Sequence, residues 1–135
     1  MKLLVLSPRK ALNKAFLKTK PGRDDFERFK SNLLILLDQA NELESEEFHK
    51  NLIANFLKKT YYEPEHFINT KRRNDLVIHN GKDAQSTVGI IVEAKKPNNK
   101  AEMLQVRDLN KKALQELVLY YFRERITYLS LELKM

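Results

Sequence analysis

The sequence predicts a single α/β domain: a mixed, mostly antiparallel sheet of about four strands flanked by helices, in the order α-α-β-β-β-α-β. Three observations predict it. Apolar residues recur at helical spacing from Phe26 to Leu57; short β-rich runs separated by polar turns fill the middle; a long amphipathic stretch follows. The length of 135 residues suits one domain, and 42% hydrophobic with 32% charged residues suits a modest core, which sets the chain apart from disordered or fibrous classes.

Residues 1–23 read as a basic N-terminal arm or short helix, carrying Arg9, Lys10, Lys14, Lys18, Lys20 and Arg23, with Pro21 and Gly22 near its end. The domain proper is expected over residues 24–135. From Asp24 or Asp25, the spacing of Phe26, Phe29, Leu33, Leu36 and Leu37 predicts a helix to about Asn41. A second helix is expected after Ser45, whose hydroxyl can cap it while Glu46 and Glu47 sit at its positive end. Phe48, Leu52, Phe56 and Leu57 mark its buried face. Strands are then expected at His66 to Thr70 and Asp75 to His79, with Asn80-Gly81-Lys82-Asp83 as a hairpin turn. Thr87 to Lys95 is the strongest strand, ended by Pro97 and Asn98-Asn99. The amphipathic helix runs from about Lys100 to Arg125, turning Met103, Val106, Leu109, Leu114, Leu117, Val118 and Tyr121 inward. Alternation of Thr127, Leu129, Leu131 and Leu133 predicts a last strand over Ile126 to Leu133.

Composition narrows the function. The absence of Cys excludes disulfides, Cys-ligated zinc and thiol catalysis. The longest apolar run, Leu33 to Leu37, is far too short for a bilayer span, and no targeting segment is legible, so a cytoplasmic location is expected. A formal charge of +7 and a sequence pI near 9.6 favour a polyanionic partner, nucleic acid before anionic membrane. His49, His66 and His79 lack zinc-site spacing and read as surface positions or as supports to a site.

The strand Thr87 to Lys95 holds the chemistry. Alternation puts Val88, Ile90, Val92 and Ala94 on one face and Gly89, Ile91, Glu93 and Lys95 on the other. Apolar residues open both faces, as in a central, doubly covered strand, yet one face ends in a carboxylate beside an ammonium. Charge removed from water needs a partner or a ligand. Asp75 opens the neighbouring strand, so that pairing would converge Asp75 and Glu93. Taken singly, Asp75 reads as a turn carboxylate and Glu93 with Lys95 as an exposed ion pair; their joint placement favours a site.

An acidic residue opening one strand and Glu-x-Lys ending the next, here Asp75 and Glu93-Ala94-Lys95, resembles the PD-(D/E)XK nuclease superfamily. From Glu46 to Arg125, including INTKRRNDLVIHNGK, VGIIVEAKKPNNKAEM and ELVLYYFRERI, the chain is similar to the N-terminal endonuclease domain of type IIG restriction-modification enzymes. It departs from them in having Asn74 where a Pro would precede Asp75, and in ending after the nuclease region with no Asn-Pro-Pro-Tyr methylation motif. The resemblance implies a restriction-endonuclease-like core and Mg²⁺-dependent cleavage of DNA, as the cleavage module of a restriction-modification system without its methyltransferase and recognition parts. It implies Mg²⁺, with Mn²⁺ as substitute, held by Asp75, Glu93 and the Ala94 carbonyl, with Lys95 serving the attacking water. Glu47 resembles the helical acid that many members aim at the metal, and Glu46 beside it is not separable from it. Lys71, Arg72, Arg73 and Lys96 flank the strand ends and suit phosphate contacts, with Gln115 and Tyr120 on the last helix as lesser candidates for backbone or nucleotide contacts. Partners implied are DNA, a methyltransferase or specificity subunit, and a second copy of the chain for double-strand cleavage. The competing readings are a catalytically silent DNA-binding remnant and an interaction domain docking on a methyltransferase subunit.

Overall fold

The computed structural model describes residues 4–71 and 74–132. Two short helices, α1 (Pro8–Ala11) and α2 (Lys14–Lys18), precede α3 (Arg23–Gln39) and α4 (Glu46–Leu57); a π-helical turn (Lys58–Tyr62) leads to β1 (Ile68–Lys71), β2 (Asn74–His79) and β3 (Val88–Val92), and α5 (Lys112–Glu132) follows.

Both long N-terminal helices begin as their sequences dictate. The Asp25 carboxylate accepts the Gly22 N–H at 3.0 Å, and the Ser45 hydroxyl accepts the Phe48 N–H at 3.0 Å. α3 is tied to the π-helical turn by Arg28 Nε donating to the Thr60 carbonyl (3.1 Å) and Asn32 donating to the Thr60 hydroxyl (3.2 Å). Phe29, Phe56 and Tyr61 close the same seam edge to face or tilted. α4 therefore has two working faces. Phe56 meets α3, whereas Ala54, with Ile53 and Leu57, packs on Ile68, Leu76 and Ile78 of the sheet. The stripe expected from Phe48, Leu52 and Phe56 is only half-buried; the buried positions are His49, Lys50 and Ala54.

The sheet is antiparallel in the order β1-β2-β3, with Ile68 opposite Ile78 and Leu76 opposite Val92. The turn after β2 does close a hairpin: the Asn80 N–H donates to the Thr87 carbonyl, and Asp83 caps the Gln85 and Ser86 N–H groups. His79 is 1% exposed, so it is no surface residue; its ring nitrogens meet the Ser86 carbonyl (2.8 Å) and the Asn69 side-chain amide (3.0 Å), pinning the turn to β1.

Four expectations are corrected. The sheet has three strands among the described residues, not about four, because 126–132 continues α5: no Gly, Pro or turn cluster interrupts the chain after Arg125. The doubly covered strand is β2, whose Leu76, Val77, Ile78 and His79 are all buried, while β3 lies at the sheet edge and exposes Gly89 and Ile90. The last helix begins at Lys112 rather than near Lys100. Before it, Asp108 accepts the Asn110 N–H (3.1 Å) and bridges to Gln105, local bonding that competes with helix. Its inward face is also rotated: Ala113, Tyr120 and Glu124 are buried, whereas Val118 and Tyr121 are exposed, and Met103 and Val106, exposed too, precede the helix.

No helix among the described residues is long and apolar enough to cross a membrane.

Candidate active site

The ladder that pairs Leu76 with Val92 places Asp75 opposite Glu93 one step further along, just beyond the last paired residues. Both carboxylates leave the same side of the sheet, because side chains directly opposite in an antiparallel pair share a face. Asp75 also braces the turn of chain between the two charged residues of β3's end: its Oδ2 accepts the Ala94 N–H at 2.9 Å. Ala94 itself is buried.

Lys95 is the centre of the cluster. Its side chain is 4% exposed, and Nζ lies 2.5 Å from Glu93 Oε1, 3.2 Å from Glu116 Oε2 on α5 and 3.9 Å from Glu46 Oε1 on α4. Three elements thus deliver carboxylates to one ammonium. The Glu93 side chain is 7% exposed, and its second oxygen, Oε2, is buried without a hydrogen-bond partner. An unpaired buried carboxylate oxygen is costly and marks a place where a donor or a cation would be stabilised.

The electrostatics follow from this packing. Burial pushes the Glu93 carboxyl up to about 7, with the Asp75 charge and the Glu116 contact adding to the rise and the Lys95 hydrogen bond opposing it. For Lys95, burial works against the charge, but hydrogen bonds to Glu93 and Glu116 outweigh it and hold the ammonium above its ordinary value. Desolvation works to raise Glu116, but hydrogen bonds to Lys95 and Glu93 together with the Lys95 and Lys112 charges outweigh it and hold the carboxyl below its ordinary value. Tyr120, one helical turn after Glu116 and buried, has its phenol raised by desolvation and by the charges of Glu116, Glu93 and Asp75. A carboxyl pushed towards neutral pH beside a buried ammonium is a perturbed pair of the kind that marks a candidate proton-transfer site.

The structure brings together Asp75, Glu93, Ala94 and Lys95 of the sequence-derived set. Of the two adjacent helical acids, it is Glu46 that faces Lys95; Glu47 is exposed and pairs with Lys50 on its own helix. Lys71 is half-buried and bonds to Glu124 of α5 at 3.0 Å, which spends its charge inside the fold. Lys96 is half-buried beside the site, and Arg72 and Arg73 lie outside the described residues. Gln115 is exposed and bonds to Asn110 (2.7 Å). Among the described residues no group of three or more His, Asp or Glu side chains is gathered as a ready metal cage.

Sequence reasoning missed Glu116. Its signal was the spacing of Glu116, Tyr120 and Glu124, each one turn from the next, which puts two acids on the inward face with Ala113. Phasing the helix on apolar residues alone turned that face outward.

No curated protein and no solved structure matches the chain. A family model described as a domain of unknown function (DUF7149) matches residues 6–135, through the basic arm, the sheet and α5, and the chain belongs to that family.

Proposed function

We propose that this protein is a Mg²⁺-dependent DNA endonuclease with a restriction-endonuclease-like core, the cleavage module of a restriction-modification system. The observation that supports it best is Asp75 opposite Glu93 across β2 and β3, with Lys95 buried against Glu93. Asp75 and Glu93 supply the small carboxylate set that Mg²⁺ takes alongside water and substrate oxygens, and the unpartnered Glu93 Oε2 fits such an ion. The Ala94 carbonyl is a further oxygen ligand that the family resemblance implies, and Glu46 replaces Glu47 as the acid arriving from the helix.

An ion held by Asp75 and Glu93 would supply an acidified water and charge neutralisation at the attacked phosphate. The chain's own groups do the rest. Lys95 supplies a fixed positive charge beside the reacting phosphate and a donor for the attacking water. Burial of Ala94, Lys95 and Glu93 keeps that charge poorly screened, and Lys96 extends it towards a flanking phosphate.

The test is conversion of supercoiled plasmid to nicked or linear DNA by the purified protein with Mg²⁺ or Mn²⁺, against EDTA and Glu93→Ala. Metal-dependent nicking lost in the variant establishes the activity and its site. Unchanged plasmid with salt-dependent DNA binding retained would replace the enzyme by a silent DNA-binding module.

A further inference from the structure

On the nuclease reading, a cation at Glu93 Oε2 would share one carboxylate with Lys95, which holds Oε1. The Lys95 ammonium already holds Glu93 Oε1 at 2.5 Å, and a divalent ion drawn to the same group would face that ammonium at close range. Like charges so near each other in a poorly solvated site repel strongly. Yet Lys95 cannot simply leave for water: its side chain is 4% exposed, and a buried ammonium that loses its partner is severely destabilised. Among the described residues, the other carboxylate within hydrogen-bond reach is Glu116, at 3.2 Å, since Glu46 stands off at 3.9 Å. Glu116 is also the less buried of the two partners, 27% exposed against 7% for Glu93.

Resting on the nuclease reading, we propose that Glu116 is a positioning residue: it takes over the Lys95 ammonium, so that Glu93 is freed for the cation while Lys95 stays at the site. Glu116 is anchored for this by α5, where Tyr120 one turn on is buried and Glu124 two turns on is clamped to Lys71. A small approach of Nζ towards Glu116 suffices, because both contacts already exist. No covalent step is involved. The role differs from that of a ligand, because Glu116 acts on the ion only through Lys95.

The experiment is Mn²⁺ binding by titration calorimetry, without DNA, to the parent protein, Glu116→Gln, Glu116→Asp, Lys95→Met and the Glu116→Gln/Lys95→Met double variant. Glu116→Gln is expected to weaken Mn²⁺ binding about tenfold, the scale of losing a residue that supports a metal ligand, with Glu116→Asp recovering part of it. In the Lys95→Met background the same change should have no effect. Equal affinity of the parent and Glu116→Gln would overturn the proposal alone. An undiminished loss in the Lys95→Met background would also overturn it, by making Glu116 a direct ligand. Absence of Mn²⁺ binding to the parent would remove the cation site, and the nuclease reading would fall with the proposal. Unfolding midpoints of all five proteins show whether each binds as a folded chain, and a Glu116→Gln variant that fails to fold leaves Glu116→Asp to carry the comparison.

Discussion

Glu93 is a carboxyl that folding makes harder to ionise. Its value of about 7 is raised first by burial and then by Asp75 and Glu116. A group raised in the folded state contributes stability that is complete below the ordinary carboxylate range and is lost as the pH climbs through about 7. Glu93→Gln removes that titration. Between pH 4 and pH 8 the variant should therefore gain on the parent by about 2 kcal/mol, taking roughly 1.4 kcal/mol per pKa unit and discounting for the coupling to its neighbours. Lys95 remains charged throughout this window, and the pH-dependent part of its contact with Glu93 is already contained in the Glu93 value, so losing the contact offsets the two curves and leaves the difference in slope intact. Urea unfolding of both proteins at several pH values reads the effect, and parallel curves would show that Glu93 is not buried as described. Asp75→Asn tests the neighbour: the amide oxygen can still accept the Ala94 N–H, but the negative charge that helps raise Glu93 is gone. The Glu93 midpoint, followed by carbon-detected NMR, should fall, and any metal-dependent cleavage should be lost with it.

At the scale of elements, the β2–β3 hairpin decides whether the site assembles, since its register alone sets Asp75 against Glu93. Gly89 shows how tightly it is closed. A Cβ there would collide with Asn80 Oδ1, and Asn80 is held by its own bond to the Thr87 hydroxyl at 2.8 Å. Gly89→Ala should cost about 1 kcal/mol by breaking one such side-chain hydrogen bond, and adding Asn80→Ala, which removes the obstruction, should make Gly89→Ala nearly neutral in the same unfolding assay. This hairpin was also the most legible part of the sequence. Asn80-Gly81 between two β-rich runs predicted it, and Glu93-Ala94-Lys95 at the end of the second run located the charged pair. The helices were legible where capping residues stood at their ends, as Ser45 does for α4. They were misread where apolar spacing was the guide. Thr127, Leu129 and Leu131 alternate like a strand, but they lie within α5, which nothing in the sequence stops before them, and helical continuity outweighs a short alternating pattern. Glu116 escaped for a related reason: an acid on an inward helical face is visible only once the residue it answers, Lys95, is known to lie opposite.

The whole molecule separates its charge from its proposed chemistry. Residues 1–23 contain seven Lys and Arg and no Asp or Glu, which leaves 18 basic and 18 acidic residues in all that follows, so the net charge of +7 lies entirely in the arm. Around the site, by contrast, Asp75, Glu93, Glu116 and Glu46 outnumber Lys95, and Lys71 is paired with Glu124. Such a site repels a phosphate backbone until a cation is present. On the nuclease reading, attraction to DNA must then come from elsewhere, and the arm offers it: every described residue from Leu4 to Gly22 is exposed, Lys10, Lys14, Lys18 and Lys20 among them. Replacing those four lysines by Gln should leave unfolding midpoints within error, because they cover no core. The same change should weaken DNA binding and flatten its dependence on salt by up to about 3.6 in the log–log slope, at roughly 0.9 for each phosphate no longer neutralised. Fluorescence anisotropy with a labelled duplex from low to moderate salt, in EDTA, measures it. A slope unchanged in the quadruple variant would move the electrostatic attraction from the arm to the edge of the site, where Lys96 is the nearest candidate.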